Sequence, residues 1–250
     1  DSVTSKGGVY EITMNVNGQK IPVYFTKDGN YIMQGRGLVP ITGNAVDNSQ
    51  QQTPAEVPKS DKPEVDLFIW SYCPYGVQAQ GPLAEVASLL KDSADFNAIL
   101  YYDGHGAFET QQNKIQACIQ KLDKDKYWAY ASGFVKDIYP KCSSLKTADC
   151  DKTESVKLMK SLGIDSSAVM SCVDSDGESL LTEYSQRASE SGVTGSPTLM
   201  INGVVTQPSS RTAEAFKTAV CSAFNTEPTE CSQDLSSSGS SSTTSAASCS

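Results

Sequence analysis

Residues 70–76 read Trp70-Ser71-Tyr72-Cys73-Pro74-Tyr75-Gly76, and they lie where the periodicity of the chain changes. Before them, Val65 to Trp70 is a short apolar run suited to a buried strand. After them, Val77, Leu83, Val86, Leu89 and Leu90 recur at helical spacing up to Leu90. Cys73 therefore stands at a strand-to-helix junction. A thiol there faces backbone N–H groups that lack intrahelical partners and the positive end of the helix dipole, both of which favour thiolate. Pro74 suits the first helical turn because its missing N–H is not needed there. Local context alone leaves a second reading open, a buried or disulfide-bonded structural cysteine.

Working outward, Phe96 to Tyr102 reads as a second strand, and residues 107–190 are mostly helical. The helical segments are Glu109 to Leu122, Lys126 to Ile138, Glu154 to Leu162 and Ser166 to Tyr184. Strands return at Thr198 to Ile201 and Val204 to Thr206, joined through Asn202-Gly203, and Thr212 to Phe224 closes as a helix. Gly192-Val193-Thr194-Gly195-Ser196-Pro197-Thr198 places Pro197 directly before the first of these strands. A cis Ser196–Pro197 bond would expose the preceding backbone as an edge for an extended peptide, whereas an ordinary trans proline would simply start an edge strand.

Ahead of this domain, Val9 to Val16 and Ile21 to Thr26 alternate around Asn17-Gly18, and Asp28-Gly29 turns into Tyr31 to Met33. Residues 1–42 thus read as a small antiparallel β-module. Residues 43–64 carry three consecutive Gln with Pro54, Pro58 and Pro63, and read as a linker to a main domain over residues 65–231. In residues 232–250, 12 of 19 are Ser or Thr, too polar a tract to order itself.

Hydrophobic residues make up 38% of the 250-residue chain, and mean hydropathy is -0.33. No run approaches the ~20 apolar residues that span a bilayer. Lys plus Arg total 20 against 29 Asp plus Glu, so polyanion binding by counterion release is disfavoured and no nucleic-acid partner is expected. Eight cysteines with a single histidine and no CxxC or CxxxC pair point to disulfides rather than a metal site. No metal and no cofactor is expected. The compartment is an oxidising one: secreted, periplasmic or cell-surface. The chain starts at Asp1 without a basic-plus-apolar leader, which for an exported protein means a signal already removed. Spacing pairs Cys142 with Cys150 and Cys221 with Cys231 as local loops, and Cys118 with Cys172 inside the helical insert. Cys118 is also a candidate resolving thiol for Cys73, with Cys172 then left over.

Strand, Cys-Pro-x-x at a helix start, then Gly-x-x-Gly-x-Pro-Thr before a hairpin resembles the thioredoxin superfamily. The long helical insert is similar to the DsbA branch. His105-Gly106, Glu109, Gln112-Asn113-Lys114 and Ala117-Cys118 are similar to the signature of gamma-interferon-inducible lysosomal thiol reductases, as are Val220-Cys221, Pro228 and Cys231. The Asn17-Gly18 and Lys27-Asp28-Gly29 module looks like N-terminal extensions of exported prokaryotic DsbA-like proteins. The resemblance covers about residues 65–231 and implies an α/β thioredoxin-like fold with a DsbA-type helical insertion at about 107–190.

It also implies an exported thiol–disulfide oxidoreductase acting on protein thiols or disulfides. Cys73 would be the nucleophile, Pro197 would shape the groove, and Pro74, Tyr75 and Ser196 would bind substrate. Two departures stand out. Gly76 occupies the second cysteine position of a CxxC pair, so the site reads as a monothiol, and Asp103 replaces the first cysteine of the lysosomal signature. On this reading Cys73 is a free, partly exposed thiol near Pro197, Cys249 is available to a neighbouring chain, and Gly76→Cys restores a dithiol. His105 is either an acid–base group near the thiolate or part of a plain turn, Asp103-Gly104-His105-Gly106. The rival class is an extracellular structural or assembly protein, filament-forming through the β-module and tail, on the same scaffold with a decayed redox site.

Overall fold

The computed structural model describes the strands within residues 3–40, then residues 56–102, 104–235 and 248–249. The Asn17-Gly18 and Asp28-Gly29 turns, most of the 43–64 linker, Asp103 and residues 236–247 lie outside the described residues. The chain divides into two compact units, Asp1–Thr53 and Pro54–Ser250.

The first unit is an antiparallel meander, β1 (Val3–Lys6), β2 (Val9–Val16), β3 (Gln19–Thr26), β4 (Tyr31–Gln34) and β5 (Gly37–Pro40), in sequential order. Val16 lies opposite Gln19, the register of a two-residue hairpin. β4 pairs only with Tyr24 and Phe25 of β3, so Pro22, which has no N–H to give, sits where β4 does not reach. The four-residue strands β1 and β5 are additions to the sequence reading. Val3-Thr4-Ser5-Lys6 is too short and too polar to show alternation.

The second unit runs β6 (Glu64–Ile69), α1 (Pro74–Leu89), β7 (Asp95–Leu100), α2 (Ala107–Leu122), α3 (Lys124–Gly133), a π-helical turn (Phe134–Ile138), α4 (Tyr139–Cys142), α5 (Ala148–Ser161), α6 (Ser166–Ser175), α7 (Gly177–Glu190), β8 (Thr198–Ile201), β9 (Val204–Thr206) and α8 (Ala213–Cys221). Its sheet has the order β7-β6-β8-β9, with β6 parallel to β7 and antiparallel to β8. Central β6 is buried on both faces. Val65, Leu67 and Ile69 enter the main core with Leu83, Val86, Ile115, Tyr127 and Phe134, while Phe68 faces Ile99, Val193 and Met200 on the other side. Asn202 and Gly203, both at positive φ, make the tight β8–β9 turn, and the Asn202 side chain accepts the Glu64 N–H at 2.9 Å.

Two boundaries differ from the periodicity. The segment 166–184 is two helices, broken at Asp176-Gly177, a turn dipeptide, and α2 passes this junction closely: a Cβ on Gly177 would lie 2.9 Å from Lys114 Cδ. The second unit also starts before Val65. Ser60 donates to the Ala223 carbonyl and accepts from the Asn225 N–H, each at 2.9 Å, so part of the expected linker is stitched into the fold.

Disulfides Cys118–Cys172, Cys142–Cys150 and Cys221–Cys231 tie α2 to α6, α4 to α5, and α8 to the short 3-10 turn Thr229–Ser232. With 54 residues between its ends, the first constrains the unfolded chain most among these three, by about 4 kcal/mol on the chain-entropy account.

Candidate functional site

Cys73 leaves β6 through the tight turn 70–73, closed by its N–H donating to the Trp70 carbonyl at 3.1 Å, and caps α1. The Gly76 N–H points at Cys73 Sγ at 3.4 Å, and no acidic residue occupies the first turn of α1. A sulfur held this way faces the positive end of the helix, which favours thiolate. Pro74 is exposed at the first helical position, and exposed Tyr75 carries the Arg211 guanidinium 5.5 Å above its ring.

The segment before β8 reaches the same place. Ser196 is fully buried, and its hydroxyl accepts the Trp70 N–H at 2.8 Å, which clamps the loop onto the end of β6. Its carbonyl oxygen lies 3.3 Å from Cys73 Sγ. The Ser196–Pro197 bond is cis.

The expected free thiol is corrected here. Cys73 is fully buried and bonded to Cys249, and among the described residues there is no free cysteine. Cys249 also pairs its backbone with Ser196: its N–H donates to the Ser196 carbonyl at 2.8 Å, and its carbonyl accepts the Ser196 N–H at 2.9 Å. The sequence reading gave this cysteine no internal partner because the tract around it cannot fold alone. One antiparallel bridge and one covalent bond need no folded tract. Cys118 is likewise no resolving thiol in this form, since it is fully buried and bonded to Cys172.

Gly76 is not an empty seat for a second thiol. A Cβ there would meet Ile69 Cγ1, Ser196 Oγ and the Trp70 carbonyl oxygen, each at 3.0 Å, and the last is backbone and cannot swing away. Gly76→Cys is therefore expected to lower stability by about 1–3 kcal/mol, from overpacking, with no gain in disulfide reduction. Urea denaturation beside an insulin-reduction assay measures both. A more active variant of unchanged stability would contradict this packing.

Beneath the Cys73 turn lies a layer of buried polar groups, of which Glu109, Gln112 and Asn113 entered the sequence analysis only as parts of a family signature and Asp151 and Ser155 not at all. Glu109 Oε1 accepts the Tyr72 N–H at 2.7 Å and Oε2 the His105 N–H at 2.9 Å, with His105 Nδ1 also 2.9 Å away. Asn113 accepts the Ser71 N–H and donates to the Tyr102 carbonyl. The Tyr72 hydroxyl donates to Asp151 at 2.7 Å, and the Gln112 amide donates to Asp151 and to Ser155 Oγ. Burial raises the Glu109 carboxyl above its ordinary value and pushes Asp151 up to about 7. The available signal was the spacing of Glu109, Gln112, Asn113 and Gln116 along α2, polar residues that share the buried side of the helix with Phe108, Ile115 and Ile119. These groups hold residues 71 and 72, and thereby Cys73, in place. His105 also lines a cleft of about 480 Å³ with Trp70, Tyr102, Thr194 and Cys249.

No protein-family model matches the sequence, and no curated protein matches it. Solved structures do. A thiol-disulfide oxidoreductase, MdbA from Actinomyces oris, aligns over 68% of this chain and 83% of its own at a TM-score of 0.54 and 13% identity. A candidate protein disulfide isomerase from Nitrosomonas europaea aligns over 63% of this chain and 95% of its own at a TM-score of 0.50 and 12% identity. At these identities the likeness shows the fold, a thioredoxin-like α/β core with a DsbA-type helical insertion.

Proposed function

On this DsbA-like thioredoxin fold, we propose that the chain is an exported thiol–disulfide exchange protein in which Cys73 attacks, and is attacked by, sulfurs of protein substrates. The observation that carries the reading is that Cys73 Sγ, at the helix N-terminus, is already disulfide-bonded to an extended segment whose backbone pairs with Ser196. That is the arrangement a peptide substrate would adopt in a mixed disulfide. Four disulfides among the described residues favour an oxidising compartment. No helix of the described residues is long and apolar enough to cross a membrane.

The helix N-terminus makes a specific demand on the opened site. After mild reduction, iodoacetamide labelling across pH is expected to give Cys73 a midpoint below the ~8.5 of a free thiol. A midpoint at or above that value would count against a nucleophilic role.

A second reading has its own support. With Cys73 closed by Cys249, the bond is also a staple that pins the Ser/Thr-rich tract, and the β1–β5 meander ends in two edge strands able to accept another chain. An assembly protein on this scaffold would keep the Cys73–Cys249 bond through every exposure to protein thiols. It would also self-associate through residues 1–42, which light scattering on the intact protein measures.

A further inference from the structure

We propose that Cys249 is the resolving cysteine of the Cys73 site, doing from the tail what the second cysteine of a CxxC pair does from the helix. The inference rests on the exchange reading above and adds a residue to it. Three observations carry it. Cys249 is bonded to Cys73 across a sequence separation of 176, so the bond closes no local loop and joins two segments that no secondary structure brings together. Its backbone makes both hydrogen bonds to Ser196, the residue flanking the sulfur, which seats the segment in one register. The approach is also close on the other side. A Cβ on Gly195 would lie 3.1 Å from Ser248 Oγ and 3.4 Å from the Cys249 carbonyl, so a larger residue at 195 would crowd the seated segment. Position 76, where a CxxC pair would carry its second thiol, is glycine, and a Cβ there would crowd Ile69, Ser196 and the Trp70 carbonyl, while α1 holds no other cysteine. The partner sulfur therefore has to come from outside α1.

The chemistry balances with two protein thiols and one substrate disulfide. With Cys73 and Cys249 reduced, the Cys73 thiolate attacks one sulfur of the substrate disulfide. A Cys73–substrate bond forms, and the other substrate sulfur leaves as thiolate and takes a proton. The Cys249 thiolate then attacks Cys73 Sγ, the Cys73–Cys249 bond forms, and the second substrate sulfur leaves and is protonated. Two electrons pass from the Cys73/Cys249 pair to the substrate. The protein ends in the disulfide form described above, and an external dithiol returns it to the start. Run backwards, the same steps oxidise a substrate dithiol. Because one sulfur seat serves both, the Ser248–Cys249 segment and a substrate peptide exclude each other from the Ser196 edge.

The test uses the full chain, reduced at this site by limiting dithiothreitol, mixed with a fluorescently labelled peptide bearing one disulfide to a small thiol. Adduct and released peptide are followed on non-reducing gels. The wild-type chain is expected to release labelled peptide thiol without accumulating adduct. Cys249→Ser is expected to accumulate a covalent adduct at Cys73 and to release peptide at least about 100-fold more slowly until glutathione is added, because a tethered thiol acts at high effective concentration. Cys249→Ala, which leaves no hydroxyl, should behave the same. Release at the wild-type rate from both Cys249 variants overturns the role of Cys249 and leaves exchange at Cys73 standing. Absence of any Cys73 adduct in all proteins, with Cys73→Ser indistinguishable from wild type, overturns the exchange reading itself.

Discussion

Cys73→Ser should bring the dithiol-driven reduction of a protein disulfide down to the rate of the dithiol alone. The sulfur at the α1 N-terminus is the only one of the eight placed both at a helix start and beside the Ser196 backbone edge. Serine keeps the shape of the site and can still cap α1, so the variant should fold. At neutral pH, however, its hydroxyl has no thiolate-like nucleophilicity. Replacing Cys221 and Cys231 together provides the control, since their bond ties α8 to the Thr229–Ser232 turn and neither residue is among the groups that hold Cys73, and that variant should keep its exchange rate where it remains folded. Activity of Cys73→Ser above the dithiol background, measured as insulin turbidity at matched concentrations, would place the chemistry elsewhere.

The second large effect concerns pH. Asp151 is fully buried, its carboxylate accepts from Tyr72 and Gln112, and desolvation raises its pKa from 3.8 to about 7. An acid whose pKa is higher in the folded state binds its proton more tightly there. Its contribution to stability is complete below the unfolded value near 3.8 and is lost as pH rises through about 7. Across that window the loss amounts to about 4 kcal/mol at most, an order-of-magnitude figure from 1.36 kcal/mol per pH unit. Glu109 and Asp66, also raised by burial, add slopes of the same sign. The chain should therefore resist urea better at pH 5 than at pH 8. Asp151→Asn, which cannot charge, should remove the larger part of that difference while keeping an acceptor for the Tyr72 hydroxyl. Equal stability at both pH values, or an unchanged slope in Asp151→Asn, would show that Asp151 titrates normally.

Much of the second unit is legible in the sequence because its signals are local. The apolar run of β6, the Cys-Pro start of α1 and the Asn202-Gly203 hairpin each depend on neighbours within a few residues, and the structure places them within a residue or three of where periodicity does. The break at Asp176-Gly177 carried a local turn signal that the apolar spacing of 166–184 masked, and only the structure shows how closely Lys114 approaches position 177. Part of the buried layer under Cys73 was hidden for a different reason. Asp151 stands out only once folding removes water from it.

The site itself divides in the same way. Cys73 and the Ser196-Pro197 loop could be singled out by their local settings. The three pairs set by spacing leave Cys73 and Cys249 over, but nothing local joins them, because Cys249 lies in a polar tract with no periodicity, 176 residues away, and is held by one backbone bridge and one bond. Gly76 misled for a related reason. A missing cysteine reads as a vacancy in the sequence, whereas three atoms at 3.0 Å fill the space around it.

Disulfide mapping of the native chain tests the central claim most directly. Free thiols are alkylated without reductant, the chain is digested and the linked peptides are identified by mass spectrometry, before and after one equivalent of dithiothreitol. A Cys73–Cys249 linked peptide and no alkylated Cys73 are expected in the untreated protein. With one equivalent of dithiol, alkylation should then appear on Cys73 and Cys249 first, while Cys118–Cys172, Cys142–Cys150 and Cys221–Cys231 stay closed. Alkylated Cys73 in the untreated protein, or a Cys73–Cys249 bond that outlasts the other three, would contradict that claim.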